Sequence, residues 1–559
     1  MKKLPLLFVL LGVCGLTQAT PLPDHMYFKA MKDEMTRSVK KLRRQGVPAP
    51  LWIVYKLENE RSAPLIWASL GELYAVDQRD DQLNARVMVS IGTNQQDSLG
   101  YRHDSYSAKY EYAPEYYYNI AKSYDGIRQA LWNITDSGYL MATELYQQKE
   151  AYKRTKQEEN EKIKLPDFMP SKQAHYVEEI KPTITYDIEQ LQTWVKQLSA
   201  QGKAYAFLEQ FAVEIQPVQR DTYYLNNLGG FYQISQPAVF VRFFAKLRNV
   251  DGYKQNYQNR FWISSLEEGI YEKLAQNVTD FLHELEQLQK ATKPEPYLGP
   301  VLLRPQAAGQ FVYNLLVENL QNLHPLMASF SDVDMSAGKM RTPGQRVMSP
   351  GINVYDDPYA RVVPSPVGDL PLGGFMPVDD EGTAAQKLTL VEGGRLKQLP
   401  RTSRPFGDKT PSNGHARLTS QSFPRERLTN VQLQPQVAFQ DSELEKKLLD
   451  RCRELGLDYG YILYDFPASN DGLVLRAERV YTTGGRREMV YGLRLANLTT
   501  RALRDIIAAG DQAKILWVGS ESSSNLPSQS VLSPALLIDE IEFVPTDKKP
   551  DRKPFVAQP

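Results

Sequence analysis

Apolar positions along this chain recur with two periods. Between 50 and 98 they gather into short alternating runs: Leu51-Trp52-Ile53-Val54-Tyr55, Leu65-Ile66-Trp67-Ala68-Ser69, and Arg86 to Ile91. That pattern predicts strands, with Asp77 to Asp81 as a turn-like gap. The alternation returns from 203 to 249 around Gly229-Gly230. The helical period marks 24–45, 124–165, 186–201 and Ser264 to Lys290, where Leu266, Ile270, Leu274, Val278, Leu282 and Leu285 share one face. The first of these helices is amphipathic and basic. The second half of 124–165, Gln147 to Lys164, is dominated by Lys, Glu and Gln and reads as a solvated face. Leu165 to Pro182 reads as a loop.

Beyond Lys293-Pro294-Glu295-Pro296 the pattern changes, and that tetrapeptide is a boundary candidate. Glu392-Gly393-Gly394-Arg395 and Gly484-Gly485 each sit between two apolar runs, as hairpin turns do. Leu444, Leu448, Leu449, Cys452 and Leu455 follow a helical period, which makes Cys452 a small core residue. Thr499 to Ala509 reads as a short helix stopped by Gly510. The expected class is α+β. Residues 20–296 would pair antiparallel strands with helices. Residues 297–545 would form a strand-rich, barrel-like half, and 546–559 a Pro- and Lys-rich flexible tail.

Residues 1–19 change the compartment. Lys2 and Lys3 precede an apolar run from Leu4 to Leu16, and Thr17-Gln18-Ala19 supplies small residues for a signal peptidase. This is a secretory pattern, too short to span a bilayer. The expectation is an exported protein, periplasmic or in the cell envelope, soluble after cleavage near Ala19. Cys14 leaves a lipid anchor as the other reading. The 66 basic and 66 acidic side chains become 64 and 66 once Lys2 and Lys3 are removed. A chain so balanced has no basic field to attract nucleic acid. Only Cys452 of the two cysteines would remain, so no internal disulfide is expected. Composition, with 32 Tyr, 34 Gly and 36 Pro, suits a β-containing protein. Eight of those tyrosines fall within 101–124, where strand and loop packing competes with an aromatic ligand surface as the explanation.

The search for chemistry finds no P-loop, dinucleotide fingerprint or nucleophile elbow. His25, His103, His175 and His324 stand without clustered partners. His283-Glu284 begins like a zinc-protease helix, but Gln287 and Leu288 stand where a second His is needed. Two longer stretches carry more. Gly299 to Leu315 reads GPVLLRPQAAGQFVYNL, and Gly374 to Leu418 contains an Asp-Asp-Glu-Gly turn, a hairpin, a Ser-Arg and an Asn-Gly segment. In that order, and followed by Ser533 to Asp539, they resemble the TldD/PmbA family, once called modulators of DNA gyrase and treated as metalloproteases. Trp67 to Gly71 and Ala130 to Asp136 resemble exported members.

The resemblance implies a helix carrying His-Glu-x-x-x-His in catalytic members. Two imidazoles and a Cys from the C-terminal region hold zinc, and the Glu acts as general base on a metal-bound water. A spacing of five separates side chains by about 140° on a regular helix. The family's site therefore implies a locally widened turn. Aligning Pro305 to Gly309 puts Tyr313 and Glu318 at the two His positions and Asn314 at the Glu position. Tyr is a weak ligand and Asn cannot accept a proton. The implied role is PmbA/TldE-like: a non-catalytic subunit in a heterodimer with a TldD-like His-Glu-x-x-x-His paralogue, acting on extended peptides bound by strand addition. No cofactor is expected on this chain alone, and zinc would belong to the partner. The resemblance makes Asp379, Asp380, Arg401, Ser403, Arg404, Asn413 and His415 the substrate-groove candidates. The plainer readings are a β-turn for the acids, surface ion pairs for Arg401 and Arg404, and a loop with an exposed His415. Two rivals remain: an active metallopeptidase with a non-standard site using Glu318, and a non-hydrolytic peptide-binding or maturation factor.

Overall fold

A computed structural model describes residues 22–76, 80–100, 115–155, 165–321, 323, 340, 342–365, 369–418, 423–467, 472–474, 476–519 and 526–546. The leader at 1–19 with Cys14, residues 101–114 of the tyrosine run, His103, His324, residues 156–164 of the polar helix half and the tail beyond 546 lie outside these residues.

The first sheet has nine strands among the described residues, built around a long hairpin of Leu208–Asn226 and Phe231–Arg248. Leu208–Asn226 also pairs with Ile66–Ser69 and with Pro50–Ser62, which in turn pairs with Asp80–Ile91. Alternation along the long strand divides its side chains between two faces. Phe211, Val213 and Ile215 pack with helices α3 (Ile188–Ala200) and α4 (Ile270–Gln289). Tyr223 and Leu225 join the cluster under α1 (Met26–Lys41) and α2 (Tyr124–Thr155). Arg220, Thr222 and Tyr224 point the other way, toward the second half of the chain.

The second sheet has twelve strands among the described residues, centred on Gln529–Pro545. That strand pairs with Tyr297–Leu303, Asn430–Pro435, Leu493–Ala496 and Ile506–Val518. Helix α5 (Pro305–Val312) packs against it, and α6 (Asp441–Glu454) buries Leu444, Leu448 and Cys452 against Leu302 and Leu537. Both expected hairpins form, at Leu388–Glu392 with Arg395–Leu396 and at Ala477–Tyr481 with Arg487–Val490.

Two expectations are corrected. The second half is strand-rich but not barrel-like: the sheet runs openly from Arg395–Leu396 to Arg487–Val490. Its edges are managed without closure. One end strand is two residues long, and the other is covered by α4. The stretch Thr499 to Ala509 is not one helix. A single 3₁₀ turn, Thr500–Leu503, leads into the strand Ile506–Val518, which continues through Gly510 by way of a bulge. Tertiary pairing with Gln529–Pro545 overrides the local pattern there. No helix of the described residues is long and apolar enough to cross a membrane.

Candidate functional site

The helix of the aligned motif starts as the sequence suggests. Pro305 occupies its first turn, where a missing N–H costs nothing. Ala308, Phe311 and Val312 are buried. At Tyr313 the helix widens into a π turn, Tyr313–Val317, closed by Glu318 N–H donating to the Tyr313 carbonyl. It ends in a 3₁₀ turn, Glu318–Leu320. The widened turn leaves carbonyls without helical partners, and the Asn319 amide donates to the Leu315 oxygen at 2.9 Å. Tyr313 is half-buried and Glu318 is exposed. Asn314 is used at both ends of its amide. Its Oδ1 accepts from Gln310 Nε2 at 2.7 Å, and its Nδ2 donates to the Pro467 carbonyl at 2.8 Å. Gln306 and Gln310 line a cavity of about 160 Å³ on this side of the helix, with Tyr464, Phe466 and Trp517.

The other polar centre lies where the two halves meet. Asp379 to Gly382 is a β-turn, closed by Gly382 N–H donating to the Asp379 carbonyl at 3.0 Å. Gly382 takes a φ of +81°, and a Cβ there would meet the side chains of Gln173 and Asn226. The turn is buried rather than a groove wall open to solvent. Asp380 inserts into the polar face of the first sheet. Its carboxylate accepts from Tyr232 Oη at 2.6 Å and Leu418 N at 2.7 Å, and it faces Lys56 Nζ at 3.3 Å. Tyr224 Oη donates to its carbonyl at 2.8 Å. Burial works against its charge, but Lys56 and Arg417 hold the Asp380 carboxyl below the usual range.

The two remaining acids of the turn differ. Asp379 accepts from Glu381 N, Thr383 N and Ala416 N at 2.8–3.0 Å. Glu381 accepts from Ser403 N at 2.5 Å, while its Oε1 is buried without a hydrogen-bond partner among the described residues. Burial raises both, and charge on Glu381 further raises Asp379. Three N–H donors work against the rise at Asp379, while burial pushes the Glu381 carboxyl up to about 7.

The remaining groove candidates are interior. Arg404 is 1% exposed and grips Asp97 through two bonds of 2.6 and 3.2 Å. Burial opposes the Asp97 charge, yet Arg404 and Lys149 bring its carboxyl down to about 2. Arg401 stacks on Phe406 and bonds Asp408 at 3.0 Å. The acid partners exist, but for Arg404 the pair is buried rather than on the surface. Ser403 contributes backbone: its N–H bonds Glu381, and its carbonyl accepts from Met169 N at 2.7 Å. His415 is not exposed. It is fully buried, with Nε2 3.0 Å from Asp356 Oδ2 and Nδ1 3.0 Å from Asn413 Oδ1. Asn413 also donates to the Leu399 carbonyl at 2.8 Å. Pattern alone could not show this burial, because it depends on tertiary contacts such as Asp356, 59 positions away.

Sequence reasoning missed the strand that faces Asp380. Its apolar run ends at Tyr55, yet the strand continues to Ser62. Tyr55 and Leu57 face the helices, while Lys56, Glu58 and Glu60 are buried on the opposite side. With Arg220 and Arg417, Lys56 and Glu58 border a cavity of about 50 Å³ that Phe375 and Arg427 also line. Burial would raise the Glu58 carboxyl, but Arg86, Lys56, Arg220 and Arg417 bring it to about 2. The available signal was the strict alternation of Tyr55-Lys56-Leu57-Glu58.

Residues 296–544 match the PmbA/TldA metallopeptidase C-terminal domain. That segment carries the C-terminal domain of the TldD/PmbA family. No curated protein matches it in sequence. Solved structures share the fold across nearly the whole chain. The Thermotoga maritima protein described as a modulator of a DNA gyrase is 15% identical, with a TM-score of 0.58 over 92% of this chain and all of that one. TldE from Thermococcus kodakarensis is 12% identical, with a TM-score of 0.57 over 92% of this chain and all of that one. A Bacteroides thetaiotaomicron protein described in the same gyrase terms is 10% identical, with a TM-score of 0.57 over 93% and 98%.

The donor set at the TldD/PmbA motif positions does not fit zinc. A phenol, a committed amide and an exposed carboxylate replace two imidazoles and a base. The thiol of Cys452 lies in the separate cluster under α6, and burial pushes it up to about 11. A thiol that holds its proton so tightly is a poor metal ligand. Among the described residues, no three His, Cys, Asp or Glu side chains converge as a metal site.

Proposed function

We propose that this protein is an exported TldD/PmbA-family subunit that binds extended peptides and leaves hydrolysis to a His-Glu-x-x-x-His partner. The observation that carries this reading is the fate of Asn314. The widened turn persists, but the residue at the general-base position is an amide held by Gln310 and Pro467. An amide so bound neither accepts a proton nor orients a water toward one. The fold shared with TldE supports a subunit of a two-chain assembly. Zinc, the Lewis acid of such a peptidase, would then reside in the partner.

The test is metal content and cleavage of an unstructured peptide. Both are measured on the mature chain alone and on the chain co-purified with a family member bearing the motif. The expected result is neither zinc nor cleavage alone and both in the pair. Stoichiometric zinc in the isolated chain, with activity lost in Glu318→Ala, would overturn it. Peptide binding with no cleavage in either sample would favour a purely peptide-binding or maturation role.

A further inference from the structure

The cavity between the halves carries a charge imbalance that the motif helix lacks. Its lining includes four cations, Lys56, Arg220, Arg417 and Arg427, against two carboxylates, Glu58 and Asp380. Both carboxylates are held in their charged form, Glu58 by Arg86 together with Lys56, Arg220 and Arg417, and Asp380 by Lys56 and Arg417, so the imbalance of the lining persists at neutral pH. Lys56 and Arg220 are each 7% exposed, so solvent does little to screen them. Arg427 is half-buried, and its Nε is sealed from solvent with no hydrogen-bond partner among the described residues. A guanidinium N–H left in that state costs free energy unless an acceptor reaches it.

The space matches one small anionic group. About 50 Å³ holds roughly three or four waters, or a single carboxylate. The cavity does not stand alone. Gln236, Gly373 and Phe375 also line an adjoining cleft of about 400 Å³. That cleft presents Pro237, Leu372 and Leu526 together with Lys181 and Arg361. Its size suits a few residues of chain or a small organic ligand.

We infer that the inner cavity binds a carboxylate, delivered as the C-terminal end of a peptide whose last side chains occupy the adjoining cleft. This rests on the peptide-binding reading above and gives that reading a polarity. Arginines bind carboxylates through directed, charge-assisted bonds, so a neutral amide in the same place would lose most of the attraction.

The experiment is calorimetric titration of the mature chain alone with an unstructured peptide as its free acid, the same peptide amidated, and acetate and phosphate as free anions. The free acid is expected to bind at least about tenfold tighter than the amide. Arg427→Gln should erase most of that difference, and Arg427→Lys should keep part of it, with circular dichroism confirming the fold. Equal binding of acid and amide, or an Arg427→Gln chain that still discriminates, would overturn the inference. Phosphate binding tighter than the peptide acid would also overturn it, leaving a free-oxyanion site. No catalytic partner is present in this titration. Zinc and cleavage assays on the same samples therefore report separately on the partner-subunit reading.

Discussion

The motif helix and the junction between the halves are both polar centres in apolar surroundings, but they depend on their polar residues in opposite ways. The helix Pro305–Leu320 is held by Ala308, Phe311, Val312, Leu316 and Leu320. Its polar positions are half-buried or exposed, and each can change while the scaffold stays. At the junction the charges are themselves the packing. Asp380, Glu58, Arg86 and Lys56 are buried together, and Arg404 with Asp97 ties 307 positions of chain into one contact. A helix of the first kind can lose its chemistry and persist. A junction of the second kind cannot lose one charge without exposing the cost of burying the other.

The largest effect should therefore come from the junction. Arg404→Met leaves Asp97 buried with Lys149 as its remaining ion partner among the described residues, at 3.3 Å, beside hydrogen bonds from Ser90 Oγ and Leu99 N. The expected loss is about 3–5 kcal/mol in urea unfolding. Adding Asp97→Asn should return part of that loss, because the uncompensated charge is then gone. A loss below about 1 kcal/mol for Arg404→Met would place this pair with ordinary surface bridges and break the contrast.

The next effect is a matter of pH. The folded state raises Glu381 from its ordinary value to about 7 by burial. A raised carboxyl contributes stability that is fully present below its unfolded pKa and is lost as pH rises through the folded one. The window for Glu381 thus runs from about pH 4.5 to 7, with a span of at most about 3 kcal/mol. Asp97 and Glu58 work in the reverse sense. Their depressed carboxyls stabilise above the unfolded value and lose that contribution as pH falls toward about 2. Glu381→Gln should remove the neutral-side loss alone. The stability gap between the variant and the parent should widen from pH 5 to 8, and a gap that does not change with pH would mean that Glu381 does not titrate in this window.

How much of this was legible beforehand follows the same division. Helices α1, α3 and α4, the long hairpin at Gly229-Gly230 and the widened turn were readable. Each is set by a local period, by a turn residue or by the five-residue spacing of a known motif. The barrel was misread because closure is a relation between edge strands that no local pattern states. The strand at Ile506 was misread because its partner, Gln529–Pro545, overrides a helical pattern. Lys56, Glu58 and Glu60 were passed over because charged residues ordinarily mark solvent. Their burial becomes intelligible only once Asp380 and Arg417, more than 300 positions away, are placed opposite them.

On the motif helix, Asn314→Glu is the sharper of two tests. It puts the missing base back at its aligned position, but removes the donor to the Pro467 carbonyl and sets a carboxylate against it. The expected outcome is a loss of about 1–3 kcal/mol with no gain of hydrolysis, read by thermal unfolding and peptide cleavage. A stable, hydrolytic Asn314→Glu chain would mean that one residue separates this helix from a working site.

The smallest effect expected is at Glu318, and its smallness is the point. Glu318 occupies the second ligand position of the aligned motif, yet it ends the π turn at the surface, and no three metal-ligating side chains converge among the described residues. If it is a remnant of the scaffold, Glu318→Ala should change stability by no more than about 0.5 kcal/mol, as at other exposed sites. Metal content of the isolated chain and its affinity for the free-acid peptide should also stay as they are. The geometry makes this comparison fair, because the i→i+5 bond that defines the turn uses the backbone N–H of residue 318, which alanine retains. Any loss of bound metal in Glu318→Ala would therefore belong to the carboxylate itself. It would turn the helix from a scaffold that has shed its chemistry into one that has exchanged its ligands.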